Sequence, residues 1–439
     1  DGLEARVGEL EATQFSTTTK LKGQATFVIG ANSFGGNAKQ GRDYFQVQQE
    51  SNGQFGAVGG FGARRSSVAS ELSGATSFNY DLQLSFDTSF TGKDLFRTML
   101  RAGNFAESAF GGDGYVGLDA LEISFEEPSG ADSLGVNRIF YQFPIGAGFT
   151  ATVGGVVRQD DMLAVWPSAY PSDTILDLFS YAGAPATYNT ALGAGAGLWW
   201  ESNDFSISAN YISPNGSNSS PSAIENEFGA NCFESGGIAT DCAGSNGTVQ
   251  IAFAPENWGI AAAYNYTSKN AGALYNGNAT PLADQFSNNG NNSSFGLSAW
   301  WSPEEAGWFP SISVGWGYNS ITNGDDTYFL RSATTQSWYL GFQWANAFLK
   351  GNTLGMAVGQ PTFVTDMSLR NVVNQSDFIA DGNYAWEWWY QFQVSDNISL
   401  TPAIYYLSRP LGALTNMKIN ASNGTFNNFG GLLKTTFRF

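Results

Sequence analysis

From Thr17 onward, apolar and polar side chains alternate in short runs instead of recurring every three or four positions. The cleanest run places Thr76, Phe78, Tyr80, Leu82, Leu84 and Phe86 between Ser77, Asn79, Asp81, Gln83, Ser85 and Asp87. A period of two puts successive side chains on opposite faces, so this run predicts a strand with one apolar and one polar face. The turn Thr91-Gly92-Lys93-Asp94 leads directly into Phe96, Thr98, Leu100 and Ala102, opposed by Arg97, Met99 and Arg101. So tight a connection predicts a hairpin. The stretch Asn427 to Phe439 alternates in the same way, with Phe429, Leu433, Phe437 and Phe439 on one side and Leu432, Lys434, Thr436 and Arg438 on the other.

Further strands are predicted near 20–31, 137–144, 149–158, 189–201, 204–212, 248–254, 258–267, 294–302, 310–318, 335–345, 351–359, 383–394 and 397–407. Their connectors alternate in length. Short ones occur at Ile145-Gly146-Ala147-Gly148, Ser202-Asn203-Asp204, Pro255-Glu256-Asn257 and Ser395-Asp396-Asn397, and most of those between are long and polar. Short turns on one rim and long loops on the other is the asymmetry of a transmembrane β-barrel, and neither a propeller nor a sandwich sorts its loops this way. The weak candidate at 119–126 breaks the required parity, because turns on one rim must be separated by an even number of strands. Demoting it to a loop element leaves about sixteen strands, a size that encloses an aqueous channel. The fold class predicted is therefore all-β: a closed antiparallel barrel over 16–439, its final strand pairing with the first to remove the last sheet edge. Aromatic girdles are expected at strand ends, at Trp199/Trp200, Trp258, Trp300/Trp301, Trp308, Trp316 and Trp388/Trp389.

Residues 1–15 follow another rule. Leu3, Val7 and Leu10 are spaced four then three, with Glu4 and Arg6 at flanking positions, which predicts the end of a helical coiled coil. A single amphipathic helix folded against the barrel end is the alternative. No secretory signal opens the chain, so a mature or trimmed form is expected.

Composition agrees with the barrel. The 439 residues include 53 Gly, 34 Phe, 18 Tyr and 13 Trp but only 13% charged residues, and no apolar run approaches the roughly 18 residues of a membrane helix. The net charge of −18 argues against nucleic acid as a partner. Excess carboxylates on outer loops are expected to meet lipid and lipopolysaccharide headgroups through divalent cations. The chain has no histidine, which removes Ser-His and Cys-His nucleophilic sites and His-bearing zinc sites. No catalytic residue, metal or cofactor is therefore expected. Cys232 and Cys242 sit in a Gly/Ser/Asn-rich segment and read as a disulfide closing a small external loop, worth roughly 3 kcal/mol in the chain-entropy model.

Two groups of charged residues bear on a channel. Arg97, Arg101, Arg138, Arg158, Lys434 and Arg438 fall on the inward phase of their strands and are expected to line the lumen as a basic patch. The third outer loop, Gln159 to Tyr188, carries Met162, Leu163, Val165, Trp166, Tyr170, Ile175, Leu176, Leu178 and Phe179 among Asp160, Asp161, Asp173 and Asp177. A loop washed by solvent has no use for those apolar side chains. It is expected to fold inside the barrel, its carboxylates facing Arg97, Arg101, Arg138 and Arg158 across a narrowed lumen; lying over the mouth or at a subunit contact is the alternative.

The runs LQLSFDTSFTGKDLFRTMLRAGNF at 82–105, IFYQFPIGAGFTATVGG at 139–155, TTTKLKG at 17–23 and the FRF ending resemble the cyanobacterial outer-membrane porins of the OprB-like, carbohydrate-selective porin family. The resemblance covers nearly the whole chain. It implies passive passage of inorganic ions and small hydrophilic solutes through homotrimers in the outer membrane. It also implies attachment to the cell wall through an N-terminal S-layer-homology domain that this sequence does not contain. The family name suggests sugars, but no aromatic slide stands out on the inward phase. A plugged barrel that ties the envelope together is the structural alternative.

Overall fold

The computed structural model describes residues 18–36, 66–112, 115–226, 229–232, 235–269, 271–326, 328–370, 379–415 and 425–439. The predicted coiled-coil end at 1–15 lies outside them. The strands are β1 (Thr19–Gly35), β2 (Ser77–Thr88), β3 (Leu95–Gly103), β4 (Gly135–Gly146), β5 (Phe149–Arg158), β6 (Leu192–Ser202), β7 (Phe205–Ser213), β8 (Ile224–Asn226), β9 (Gly229–Asn231) and β10 (Asn246–Phe253). They continue with β11 (Trp258–Thr267), β12 (Asn291–Trp301), β13 (Ser311–Thr322), β14 (Leu330–Ala345), β15 (Thr353–Leu369), β16 (Tyr384–Ser395), β17 (Ile398–Ser408) and β18 (Asn427–Arg438). Strands β8 and β9 form a small hairpin in an outer loop, and the other sixteen close into one antiparallel barrel.

The ring is sealed by β1 and β18, paired from Gln24 opposite Arg438 to Gly35 opposite Asn427. No barrel strand is left with an unpaired edge, which is what a wall surrounded by hydrocarbon requires. Alternation sorts the side chains. Ile251, Leu297 and Phe429 stand on the outer wall about half exposed, while their neighbours Gln250, Ser298 and Asn428 point inward and are buried. No helix among the described residues is long and apolar enough to cross a membrane, which says nothing of strands.

Strands β14 and β15 run longer than the alternation predicts. Their pairing is interrupted by irregularities near Leu330, Thr334 and Gln336, and each bulge shifts the phase, so the period of two fades while the ladder continues. The demotion of 119–126 agrees with the structure: Leu121 makes one isolated bridge, to Leu176, and the segment is loop. The tryptophan pairs need a correction. Adjacent residues in a strand face opposite ways, so only one of each pair can lie outside. Trp389 is buried inside the barrel, and Trp388 takes the outer face.

The apolar core sits in the lumen and not between layers. The second outer loop (104–134) contributes Phe105, Phe110, Leu118 and Leu121, the third (159–191) Tyr170, Leu176 and Phe179, and the fifth (268–290) Leu274, Leu282 and Phe286. These pack with inward side chains of the wall such as Val28, Tyr339 and Tyr405. The fifth loop carries helix α2 (Pro281–Asn288); α1 (Ser66–Ser73) lies in the first loop. Helix α2 begins where its residues dictate: Thr280 caps it by accepting from the Ala283 N–H, and Pro281 follows in the first turn. The Cys232–Cys242 disulfide is formed, in the fourth outer loop.

Candidate channel constriction

The third outer loop leaves β5 and runs inside the barrel across to the opposite wall. Its first turn, Gln159–Met162, is tied to β10 by the Gln159 amide, which donates to Thr248 Oγ1 at 2.6 Å. Ser208 Oγ on β7 accepts from the Ala164 N–H, and Ser313 Oγ on β13 accepts from those of Ala169 and Tyr170. Small wall residues allow this approach. A Cβ on Gly315 would overlap the carbonyl oxygen of Ala182, and the Ala182 and Gly183 carbonyls accept from Ser298 and Ser337.

A buried carboxylate holds the far end. Glu387 on β16 accepts from the Tyr170 hydroxyl and from the Leu176 N–H, both at 2.7 Å, and the Trp389 indole N–H donates to the Tyr170 oxygen at 2.9 Å. On β18, Lys434 Nζ donates to the carbonyls of Asp173 at 2.9 Å and Thr174 at 3.3 Å. The apolar residues of this loop pack against two sides of the wall, Met162 with Phe140, Val157 and Ile212, and Tyr170 with Tyr339 and Trp389.

The structure brings the expected charges together in a specific pairing. Arg138 Nε meets Asp161 at 2.7 Å and Arg158 Nη2 meets Asp160 at 2.5 Å, joining wall and loop. Arg438 meets Asp173 at 3.2 Å. Arg97 and Arg101 make their ion pairs elsewhere than on the loop, with Asp87 at 2.7 Å and Asp81 at 2.6 Å on neighbouring β2, although Arg97 also feels the charge of Asp161. The reason is register: Gln83 lies opposite Arg101 and Asp87 opposite Arg97, so inward side chains of the two strands are already within reach. Asp177 also departs from the expectation. It accepts from the hydroxyls of Tyr181 and Tyr275, the latter in the fifth loop, and has no ion pair among the described residues. Burial pushes its carboxyl up from the usual range. Burial alone would do the same to Asp160, but Arg158, helped by Arg138 and a backbone N–H, outweighs it and holds that carboxyl low.

The second outer loop joins the third inside the lumen, which sequence reasoning missed. The Glu122 N–H donates to the Ile175 carbonyl at 3.1 Å and the Asp177 N–H to that of Ala120 at 3.0 Å, around the Leu121–Leu176 bridge. Arg101 reaches this loop as well, with its guanidinium 4.5 Å from the Phe125 ring centre and Nη2 on the Ile123 carbonyl. The only signal in the sequence was the alternation of Leu121, Ile123 and Phe125, read as a failed strand. Glu122 lies within the electrostatic reach of Lys434 and Arg101. Burial pushes its carboxyl up to about 7 against the pull of Lys434 and Arg101, and Asp173 and Asp177 add to the rise.

No family model matches the chain. Over its full length the chain is 26% identical to an uncharacterized protein of Synechocystis sp., of which it spans 72%. It is 25% identical to an uncharacterized protein of Nostoc sp., of which it spans 68%. Among solved structures, Pseudomonas putida OprB at high pH superposes with a TM-score of 0.52 over 99% of this chain and 96% of its own, at 10% identity. The fold is a porin-type barrel. An anion-selective porin from Comamonas acidovorans covers 96% of this chain and all of its own, with a TM-score of 0.48 and 9% identity.

Proposed function

We propose that this chain is an outer-membrane porin that lets inorganic ions and small hydrophilic solutes diffuse through a loop-constricted pore, as a non-enzymatic channel and as a homotrimer. One observation carries the reading: the third loop is clamped across the lumen by Glu387 and Lys434, while Arg97, Arg158, Arg438 and Asp173 keep roughly a third to a half of their side-chain surface exposed. The cavity lined by Lys22, Gln24, Gln83, Ser85, Asn397, Arg438 and Phe439 carries mostly polar side chains, which supports passage of hydrated solutes. Arg97, Arg101, Arg138, Arg158, Lys434 and Arg438 are the basic side of the pore in this reading, and Asp160, Asp161 and Asp173 its acidic side.

A second reading has its own support. The apolar cluster shared by the second, third and fifth loops fills much of the lumen, as a plugged structural barrel would require. Planar-bilayer recording separates the two. Stepwise open-channel events from the purified protein are the expected outcome, and silence at every protein concentration that inserts into the bilayer would support the plug. A liposome-swelling series with ions, amino acids and sugars then ranks the solutes, a sugar preference being the finer alternative.

A further inference from the structure

The chain carries 20 basic residues against 38 acidic ones, so a place where cations predominate runs against the whole. One such place lies inside the barrel, at the end of the lumen nearest the short turns. The cavity there, of about 450 Å³, is lined by Lys22, Gln24, Gln83, Ser85, Asn397 and Arg438, and by no Asp or Glu side chain. Asn397 belongs to the short connection between β16 and β17, which fixes the depth of the cavity. Arg438 stands opposite Gln24 in the β1–β18 seam, and Lys22 is two positions along β1 on the same face. Diagonal neighbours of this kind are about 7–8 Å apart at the backbone, close enough for two long side chains to hold one ion.

The carboxylates nearby are fewer than the cations. Asp87 pairs with both Lys22 and Arg97, and its side chain is only 9% exposed against 64% for that of Lys22. Lys20 lies opposite Asp87 in the β1–β2 ladder and has no ion pair among the described residues. Asp173 pairs with Arg438 from the third loop but does not line the cavity. Four cations are thus answered by two carboxylates, whereas in the constriction Arg138 with Asp161 and Arg158 with Asp160 are matched one to one. Donors are left over as well. Among the described residues the Lys22 ammonium makes one side-chain hydrogen bond, to Asp87, and Gln24 uses only its carbonyl oxygen, accepting from Arg438 at 3.2 Å. We propose that this cavity is an anion subsite of the pore, in which Lys22 and Arg438 hold a small inorganic oxyanion while the Gln24 amide and the Ser85 hydroxyl donate to its other oxygens. The proposal rests on the channel reading above and deepens it. Several converging donors, two of them charged, suit an ion with several acceptor oxygens better than they suit chloride.

The test adds inorganic phosphate at millimolar concentrations to the reconstituted protein in about 0.1 M potassium chloride, where charges are screened beyond roughly 10 Å. Single-channel conductance is expected to fall with phosphate and to level off, since an oxyanion held in the passage obstructs chloride. A protein carrying both Lys22→Gln and Arg438→Gln is expected to need at least about fivefold more phosphate for half the effect, as the loss of two charged donors implies. Lys350→Gln removes a positive charge from the exposed turn between β14 and β15, outside the cavity, and is expected to respond as the unmodified protein does. An open channel whose conductance ignores phosphate overturns the subsite and leaves the channel reading intact. A doubly substituted protein with the unmodified response, or a Lys350→Gln protein weakened as much as the double one, does the same. Should the double variant fail to assemble, Lys22→Gln alone decides: a roughly twofold or larger loss of phosphate sensitivity supports the subsite, and no change overturns it. Silence of the unmodified protein overturns the channel reading, and the subsite falls with it.

Discussion

Asp94 shows how a single side chain can build a turn. Its Oδ1 accepts from the Ser89 hydroxyl, the Phe90 and Thr91 N–H groups and the Thr91 hydroxyl, and its Oδ2 accepts from Tyr141 on β4. Burial works against the charge, but the hydrogen bonds to the ionised form, the Tyr141 hydroxyl foremost, outweigh it and hold the carboxyl well below the usual range. The sign follows from that direction. A lowered folded pKa means the turn's contribution is complete above the ordinary carboxylate pKa of about 4 and is lost as the pH falls below it. Asp94→Ala should therefore lower the unfolding temperature at neutral pH, and the gap from the unmodified protein should shrink in acid. A heat-modifiability series at pH 7 and pH 3 measures both. The sequence marked this turn by its Thr-Gly-Lys-Asp residues, but five donors on one carboxylate could not be read there, because Tyr141 lies 47 positions away and on another strand.

At the level of elements, the third loop depends on partners distributed around the ring. Its place inside the barrel was legible, since Tyr170, Leu176 and Phe179 in a long connector have to be buried somewhere. Its attachments were not, because Glu387, Ser313 and Lys434 meet it only after strands far apart in sequence have closed into a wall. Glu387→Ala removes the acceptor of two donors, the Tyr170 hydroxyl and the Leu176 N–H, each costing about 1–3 kcal/mol when left unmet in a buried site. The expected result is a barrel that still assembles but whose residues 168–180 exchange amide hydrogen faster, with noisier single-channel current. Protection unchanged from the unmodified protein would show that Lys434 and the apolar contacts suffice. The second loop was misjudged for a similar reason. A three-residue alternation at Leu121, Ile123 and Phe125 is too short to distinguish a strand from a segment that docks on another loop.

For the whole molecule, the period of two carried the fold. The register of sixteen strands, their parity and the seam between β1 and β18 all follow from which face each residue takes. The alternation also sets a prediction for the outer wall. Leu297 lies midway along β12 on that face, 52% exposed, where an arginine placed in hydrocarbon costs roughly 2–4 kcal/mol. Leu297→Arg should lower the denaturant midpoint of the membrane-inserted protein. Ser85→Arg, which adds the same charge to the polar vestibule beside Gln83 and Lys22, should leave the midpoint nearly unchanged. Equal midpoints for the two variants would contradict the assignment of faces.

Lys434 belongs both to the strand that completes the cylinder and to the clamp on the third loop's backbone. The strand whose pairing with β1 seals the ring thus also holds the loop inside it, so a change at Lys434 touches the wall and its contents together.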